Sequence, residues 1–213
     1  MKKINVLFEI LTKPKLLRSL LSLKYNGYLQ EMGWFNSAVT KQSIDKSGNP
    51  LPWYSYSFIN FIETRLKKTF NVFEWGSGNS TIWFASRINH ITAVENDNFW
   101  YNKLLKELPN NCSLNLKSDR KEYSRFILES SIEYEIIIID GIDRINCAKN
   151  SIKKIKEDGI IIFDNSERIE YKEAIDFLIS RGFLKIDFFS IGPIVNRNTC
   201  TSVFYRRENC LKI

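Results

Sequence analysis

Short apolar segments alternate with amphipathic segments along the chain from Asn71 onward. The apolar segments have the length and composition of strands and lie at Val72–Trp75, Ile91–Glu95, Ser113–Lys117, Glu135–Asp140 and Gly159–Asp164. The segments between them have helical spacing and lie at Ser80–Ile88, Asn98–Leu108, Lys121–Glu129, Arg144–Glu157 and Glu170–Arg181. Runs such as EIIIID and GIIIFD are apolar on both faces, as strands covered by helices on each side are. The alternation predicts an α/β fold with a doubly wound, parallel sheet.

The C-terminal part of the chain departs from this alternation. FLKIDFFS (residues 183–190) and TSVFYRR (residues 201–207) follow one another with a Gly192-Pro193 turn and no helix between them. Two adjacent strands without a crossover helix form an antiparallel hairpin. We therefore expect a mostly parallel, seven-stranded sheet with an antiparallel hairpin at one edge.

Residues 1 to about 50 predict a helical extension ahead of the sheet. Leu16, Leu17, Leu20 and Leu21 recur at helical spacing beside lysines and arginine, which indicates a small basic amphipathic helix. Such a helix either packs on the domain with its lysines in water, which we expect here, or attaches to an anionic membrane surface or a partner. The turn-rich segment DKSGNPLPW (residues 45–53) predicts a border between an extension, residues 1–52, and a domain, residues 53–213.

The charge of the chain is concentrated in its N-terminal third. The formal net charge is +7, and residues 1–70 hold eleven of the 31 Lys and Arg but four of the 24 Asp and Glu, which leaves 20 of each sign for the rest. A nucleic-acid site would be expected to carry a basic surface of its own. The neutral body of the chain therefore argues against nucleic acid as a partner and favours a small molecule.

The cysteines and the N-terminal apolar run indicate a compartment. Four cysteines have no CxxC spacing and the chain has one histidine, His90, so a zinc site or a Cys–His nucleophile pair is excluded. Charged residues and Pro14 interrupt the N-terminal apolar run, which is too short for a signal peptide or a membrane span. We expect reduced thiols and a cytoplasmic protein.

The segment FEWGSGNST (residues 73–81) joins the first predicted strand to the helix that follows it. Ligands of open α/β sheets bind beyond the carboxyl ends of the strands, where Gly76 and Gly78 allow a tight turn and close approach of the backbone. A nicotinamide-binding loop has a third glycine where this chain has Thr81, and Glu74 would repel a pyrophosphate. A carboxylate suits a cationic ligand instead. S-adenosylmethionine, which has an ammonium, a sulfonium and no phosphate, is one ligand of this kind.

The segment FEWGSGNST also resembles the first motif of class I S-adenosylmethionine-dependent methyltransferases, in which an acid precedes Gly-x-Gly by one residue. The order of strands and helices over about residues 55–207 is similar to that family as well. The resemblance implies a Rossmann-like methyltransferase fold and methyl transfer. The cofactor-binding residues that it implies are Glu74, Gly76, Ser77, Gly78, Asn79, Ser80, Thr81, Glu95, Asn96, Asp119 and Asp140.

The resemblance implies a specific contact with the cofactor for two of these acids, Glu95 and Asp119. Glu95 ends the second predicted strand, about twenty residues after the loop, where a carboxylate can accept hydrogen bonds from both ribose hydroxyls. Alone, it could also be an exposed acid at a strand end. Asp119 resembles the family acid that contacts the adenine amino group, although it is equally suited to cap the helix that begins near Lys121.

The ends of the fourth and fifth predicted strands carry the candidate catalytic residues. Asp140, Asp164 and Asn165 resemble the set that holds magnesium in cation-dependent catechol O-methyltransferases, so the resemblance implies an Mg²⁺ ion on them. Those enzymes have a lysine at the position of Asp143, so a metal-free reaction with Asp140 or Asp164 as general base stays open. Arg144 cannot be a base and is suited to hold an acidic group of the substrate.

The chain is similar, more narrowly, to a group of bacterial class I methyltransferase-like proteins. The shared features are GYL (27–29), GW (33–34), GNPLPW (48–53), DNS (164–166) and TSVFYR (201–206). They imply methyl transfer and leave the acceptor open. Trp53, Tyr54 and Tyr56 precede the sheet and are candidates to cover the acceptor site, although we expect at least half of them to pack in the core. Arg197, in the loop of the edge hairpin, is a candidate contact of the acceptor.

We expect O-methylation of a small molecule or glycan precursor. Three alternatives remain at this point: an RNA methyltransferase, a non-catalytic binding protein that keeps the fold, and, less in keeping with Glu74 and Thr81, a nicotinamide oxidoreductase.

Overall fold

The computed structural model describes residues 2–213, without the side chains of residues 2–5 and of Leu7. Within this range seven strands form one sheet in the order β3-β2-β1-β4-β5-β7-β6. They are β1 Asn71–Trp75, β2 His90–Glu95, β3 Cys112–Leu116, β4 Tyr134–Ile139, β5 Ile155–Asp164, β6 Leu184–Ser190 and β7 Thr199–Tyr205. The pairs among β1 to β5 are parallel, and β7 pairs antiparallel with both β5 and β6. The predicted α/β sheet and its antiparallel edge hairpin are confirmed.

Helices connect the strands on both faces of the sheet. Those before β1 are α1 Lys2–Thr12, α2 Pro14–Tyr25, α3 Tyr28–Glu31, α4 Trp34–Thr40 and α5 Tyr56–Glu63. Those after β1 are α6 Asn79–Ala85, α7 Asn98–Leu104, α8 Arg120–Arg125, α9 Arg144–Ser151 and α10 Lys172–Ser180, with 3₁₀ turns at Phe126–Glu129 and Ile169–Tyr171. No helix within residues 2–213 combines the length and the apolar character that crossing a membrane requires.

Two predicted helix ends are wrong. The helix expected to reach Leu108 ends at Leu104. The helix expected to reach Glu157 ends at Ser151, and β5 already begins at Ile155. The register between β4 and β5 shifts after the pair Tyr134 and Ile155, and a bulge of this kind lengthens the strand by several residues. The periodicity of the sequence could not reveal the bulge, because its residues include the exposed Glu157 and Asp158 beside the buried Gly159 and do not show the alternation of a strand.

The central strands are buried on both faces, which fixes the positions of their carboxyl ends. Residues 136–139 of β4 and residues 160–163 of β5 are fully buried. One face packs against α5 and α6 through Val72, Ile136, Ile138, Ile160 and Ile162. The other face packs against α8, α9 and α10 through Phe73, Trp75, Ile137, Ile139, Ile161 and Phe163. Because these strands are locked by packing, the loops that follow β1, β4 and β5 meet at one edge in a fixed arrangement.

The N-terminal helices divide into two parts. No residue of α2 is buried, and its neighbours in the fold are α1 and α3. The expectation that this basic helix packs on the domain is therefore wrong, because its leucine side chains do not reach the sheet. Contact with the domain begins at Tyr28, whose ring packs edge-to-face on Tyr56, and Trp34 donates a hydrogen bond to the Val195 carbonyl at 2.7 Å. The border at residue 52 stays a prediction.

Candidate functional site

A cavity of about 320 Å³ opens at the carboxyl end of β1. Since β1 pairs with β2 on one side and β4 on the other, this is the point at which the connections diverge and where ligands of such sheets bind. The cavity is lined by the loop and first turn Ser77–Ser80, by Trp100, Lys103, Leu104 and Glu107, by Lys41, Gln42 and Ser43, and by Trp53, Asp140 and Ile194.

The glycine loop requires its two glycines for different reasons. Gly76 has a φ of +93°, and a side-chain carbon there would lie 3.0 Å from the Asp140 carbonyl oxygen. Gly78 has an extended backbone, and an added carbon would meet no atom closer than the Trp100 indole at 3.8 Å. Gly76 therefore allows the turn, whereas Gly78 leaves the backbone open towards the cavity.

Glu74 lies beneath the loop rather than in the cavity, which corrects the expectation that it faces the cofactor. Its carboxyl oxygens accept hydrogen bonds from the hydroxyls of Ser80 at 2.5 Å and Thr81 at 2.6 Å. Thr81 in turn accepts a hydrogen bond from the Gly78 amide at 3.0 Å. Burial raises the pKa of Glu74 to about 8, and its two hydrogen bonds offset only part of this. A carboxyl with this pKa is mainly neutral at pH 7 and stabilises the loop.

Glu95 is buried at the end of β2 and is joined to the same loop. One carboxylate oxygen accepts hydrogen bonds from the Asn96 and Asp97 amides at 2.8 and 3.0 Å, and the other accepts one from the Ser77 hydroxyl at 2.8 Å. The interpretation of Glu95 as an exposed acid is therefore wrong. Asn96 enters this arrangement through its backbone amide, and its side chain is not part of the cavity lining.

Asn79 and Asp119, also predicted cofactor residues, have defined partners. The Asn79 side chain donates a hydrogen bond to the Ser43 carbonyl at 2.6 Å, which fixes the segment Lys41–Ser43 as a wall of the cavity. Asp119 caps α8 by accepting hydrogen bonds from the Lys121 and Glu122 amides. It lies outside the cavity, so capping is its observed role and a contact with adenine stays a prediction.

Glu107 and Asp140 are the two acids that line the cavity, and Asp140 is the one at the end of β4. Its side chain is 25% exposed and accepts a hydrogen bond from Arg144 at 2.9 Å. Burial raises the pKa of Asp140 to about 6, although the Arg144 guanidinium opposes the shift. Its pKa is therefore close to neutral pH, where a general base is most effective.

Arg144 joins the ends of β4 and β5, so the expectation that it holds the substrate is wrong. Its guanidinium also donates to the Gly141 carbonyl at 2.9 Å and to the Asp164 carbonyl, and it lies 5.1 Å from the centre of the Tyr171 ring. The residue is almost fully buried. With its donors directed at the protein, Arg144 holds Asp140 in position.

The predicted magnesium ligands do not form a metal site. Asp164 accepts hydrogen bonds from the Thr201 hydroxyl and from the side-chain amide of Asn165, both at 2.6 Å, and Asp140 is paired with the Arg144 guanidinium. Burial raises the pKa of Asp164 well above its ordinary value, and Asp140 adds to the shift. No group of three or more His, Cys, Asp or Glu side chains that could hold a metal ion occurs in the described part of the chain. These residues therefore do not fit Mg²⁺.

The cover of the cavity differs in part from the prediction. Trp53 lines it, but Tyr54 and Tyr56 are buried in the core. Arg197 is exposed and lies outside the lining, and its loop contributes Ile194 instead, at a φ of +70°.

Sequence reasoning missed the wall formed by α7. Trp100 donates a hydrogen bond from its indole to the Ser77 carbonyl at 2.7 Å, and the Lys103 ammonium lies 4.7 Å from its ring centre. Asp97 caps α7 by accepting a hydrogen bond from the Trp100 amide. This cap, two residues after Glu95, was the available signal that the helix begins beside the loop.

No protein-family model matches the sequence, and no curated protein matches it. Three of the many solved structures with a similar fold are a precorrin methyltransferase, an rRNA methylase and an O-methyltransferase. A precorrin-6y C5,15-methyltransferase of Geobacter metallireducens has a TM-score of 0.57 and 13% identity over 70% of this chain and 87% of its own. An rRNA methylase of Streptococcus thermophilus has a TM-score of 0.54 and 13% identity over 69% and 93%.

The third is the O-methyltransferase TomG of Streptomyces achromogenes, in complex with S-adenosylmethionine. Its TM-score is 0.55, with 11% identity over 68% of this chain and 77% of its own. At such identities the similarity concerns the fold. The chain therefore has the Rossmann-like fold of the class I S-adenosylmethionine-dependent methyltransferases, as the resemblance of its glycine loop implied.

Proposed function

We propose that the protein is an S-adenosylmethionine-dependent methyltransferase that methylates a hydroxyl group of a small molecule or glycan precursor. The observation that carries the proposal is the position of Asp140. This carboxyl faces a cavity whose other wall is the glycine loop, and its pKa is near 6. TomG, which binds S-adenosylmethionine on the same fold, supports the choice of cofactor.

The cavity residues fit this cofactor. The open backbone at Gly78 admits close approach of a ligand, and Asp140 provides a negative charge for a cationic one. Trp53 and Trp100 offer aromatic faces, which attract cations and stack with planar rings. At the end of β2, Glu95 is suited to the ribose hydroxyls, which would replace the Ser77 hydroxyl on its carboxylate. When bound, S-adenosylmethionine supplies an electrophilic methyl group on a sulfonium, with a neutral thioether as the leaving group.

Asp140 is the proposed general base. Its carboxylate would accept the proton of the acceptor hydroxyl, which would make that oxygen nucleophilic towards the methyl group that the bound cofactor would supply. General base catalysis of this kind contributes roughly 10²–10⁴-fold in rate. Arg144 holds the carboxylate in place and keeps its pKa low enough for the ionised form to dominate at pH 7. Asp164 is buried with both oxygens hydrogen-bonded, so it supports the strand end and does not contact the acceptor.

The lining of the cavity suits a polar acceptor. It has two basic side chains, Lys41 and Lys103, and two acidic ones, Glu107 and Asp140, so it offers partners to both anionic and cationic groups. Trp53 offers its ring to the apolar side of a sugar or to a planar acceptor. The neutral balance of residues 71–213 argues against an RNA acceptor.

Methyl transfer from isotopically labelled S-adenosylmethionine to fractionated cell extract tests the proposal. We expect labelling of the small-molecule or glycan-precursor fraction, in the form of methyl ethers. Asp140→Asn should abolish the labelling, whereas Asp176→Asn, a matched change on the exposed surface of α10, should retain it. Labelling of the RNA fraction alone would contradict the proposed acceptor. Failure to bind either S-adenosylmethionine or S-adenosylhomocysteine would contradict the function itself.

A further inference from the structure

The helices α1 and α2, called here the N-terminal helix pair (residues 2–25), expose an unusually large apolar surface. Phe8 is 69% exposed and Leu11 61%, and the side chains of Leu16, Leu20 and Leu21 in α2 are exposed as well. No residue of α2 is buried. Soluble domains rarely leave contiguous apolar surface uncovered, so such a surface indicates an interaction site.

The apolar and charged residues of α2 lie on opposite sides. At 100° per residue, the five leucines between residues 16 and 23 cover one broad face, and the opposite face carries Lys15, Arg18, Ser19 and Ser22. Lys24 lies within the angular range of the leucine face, at the C-terminal end of the helix, where a long side chain can direct its ammonium away from the apolar surface. The helix is therefore amphipathic, with leucine on one side and a positive polar side.

The charge of the helix pair selects among possible occupants of this face. Residues 2–25 contain six Lys and Arg and one acid, Glu9, which pairs with Lys13 at 2.6 Å. A second copy would bring the same positive charges together, which disfavours self-association. The surface of a lipid bilayer offers negatively charged phosphate groups to the basic side of the helix and an apolar layer to its leucine side.

We propose that the N-terminal helix pair binds the surface of an anionic lipid bilayer. The leucine face of α2 and the exposed Phe8 and Leu11 of α1 enter the boundary between headgroups and acyl chains. Lys15, Arg18 and Lys24 contact lipid phosphates. From α2 the chain continues through α3 and α4 into Lys41–Ser43, a wall of the cavity, so the bound lipid surface and the cavity are joined by a short, helical part of the chain.

Vesicle co-sedimentation of the full-length protein tests this inference. The probes are phosphatidylcholine vesicles with and without phosphatidylglycerol. We expect binding to the anionic vesicles only. It should weaken at least tenfold in about 1 M salt, where the Debye length falls from about 10 Å at 0.1 M to about 3 Å.

Two triple variants separate the contributions. Leu16→Ser/Leu20→Ser/Leu23→Ser and Lys15→Glu/Arg18→Glu/Lys24→Glu should each lower the fraction bound at least tenfold. Because no residue of α2 is buried, neither should change the thermal stability of the domain. Lys121→Glu/Arg125→Glu/Lys153→Glu is the matched control, with the same charge change at exposed positions elsewhere.

Three results would overturn the proposal. The first is binding that does not differ between neutral and anionic vesicles, whether the protein binds both or neither. The second is a loss of binding in the control variant equal to that in the two test variants. The third is a dimer, detected by light scattering, that the leucine variant dissociates. The last result would assign the face to a second copy of the chain. Cofactor binding is measured separately by calorimetry, so these results leave the proposed function untouched.

Discussion

The two sides of the glycine loop hold carboxyls in different environments. Beneath the loop, Glu74 is buried and hydrogen-bonded to Ser80 and Thr81. On the cavity side, Asp140 is partly exposed and held by Arg144. Burial raises the pKa of both, to about 8 and about 6, but only Asp140 has space beside it for a ligand. An acid beside a glycine loop can therefore either support the loop or act on its ligand, and the direction of the side chain decides which.

The largest effect is expected from Asp140→Asn. Loss of the base should lower the rate of methyl transfer by roughly 10²–10⁴-fold and leave S-adenosylhomocysteine affinity nearly unchanged. In the wild-type protein, kcat/KM should rise with pH through about 6, because the base acts only when it is ionised. Rate measurements across pH check both points. Full activity of the variant would show that Asp140 is not the base.

Gly76→Ala should lower the free energy of unfolding by about 1–3 kcal/mol, because alanine is strained at positive φ and its methyl group would crowd the Asp140 carbonyl. Gly78→Ala, the matched control in the same loop, places its methyl group at van der Waals distance from the Trp100 indole, at an extended backbone position, and should leave the stability nearly unchanged. Urea denaturation of both variants checks the difference. Equal losses would mean that the two glycines do not have separate roles.

Glu74→Gln should flatten the dependence of stability on pH. A carboxyl whose pKa is raised on folding stabilises the protein fully below its unfolded pKa, near 4.5, and this contribution is lost as pH rises through about 8. The slope from one such group is at most about 1.4 kcal/mol per pH unit. Urea denaturation between these pH values should show a shallower decline in the variant. Identical slopes would indicate that Glu74 is ionised in the folded protein.

Removal of metal should have the smallest effect. Because Asp140, Asp164 and Asn165 are occupied by protein hydrogen bonds, EDTA should leave the rate of methyl transfer unchanged. Addition of Mg²⁺ after dialysis should likewise have no effect. A rate that EDTA abolishes and Mg²⁺ restores would require these side chains to rearrange around an ion.

The sequence predicted the parts of the fold that depend on local periodicity. The isoleucine runs of β4 and β5 and the helix-free C-terminal hairpin are recognisable from composition and spacing alone. The direction in which a side chain points cannot be recognised in this way. Glu74 precedes Gly76 in the pattern typical of a ligand-facing acid, yet the hydroxyls of Ser80 and Thr81, one turn into α6, hold it beneath the loop.

The role of Arg144 was equally inaccessible from the sequence. Its partners are the Asp164 carbonyl on the neighbouring strand and the Asp140 side chain four residues earlier, and they come together only when β4 and β5 pair. The wall that Trp100 contributes to the cavity depends in the same way on the packing of α7 beside the loop. Contacts between elements that are distant in sequence therefore determine both the role of Arg144 and the position of Trp100.

Calorimetric titration of S-adenosylhomocysteine into the wild-type protein and into Gly78→Val tests the central claim, that the space above the glycine loop is a cofactor site. The valine side chain would enter that space without straining the backbone, so we expect micromolar binding to the wild type and a loss of at least tenfold in the variant. Ser131→Val, an exposed change before the amino end of β4, should bind as the wild type does. Absence of binding to the wild type, or equal affinity of Gly78→Val, would contradict the account.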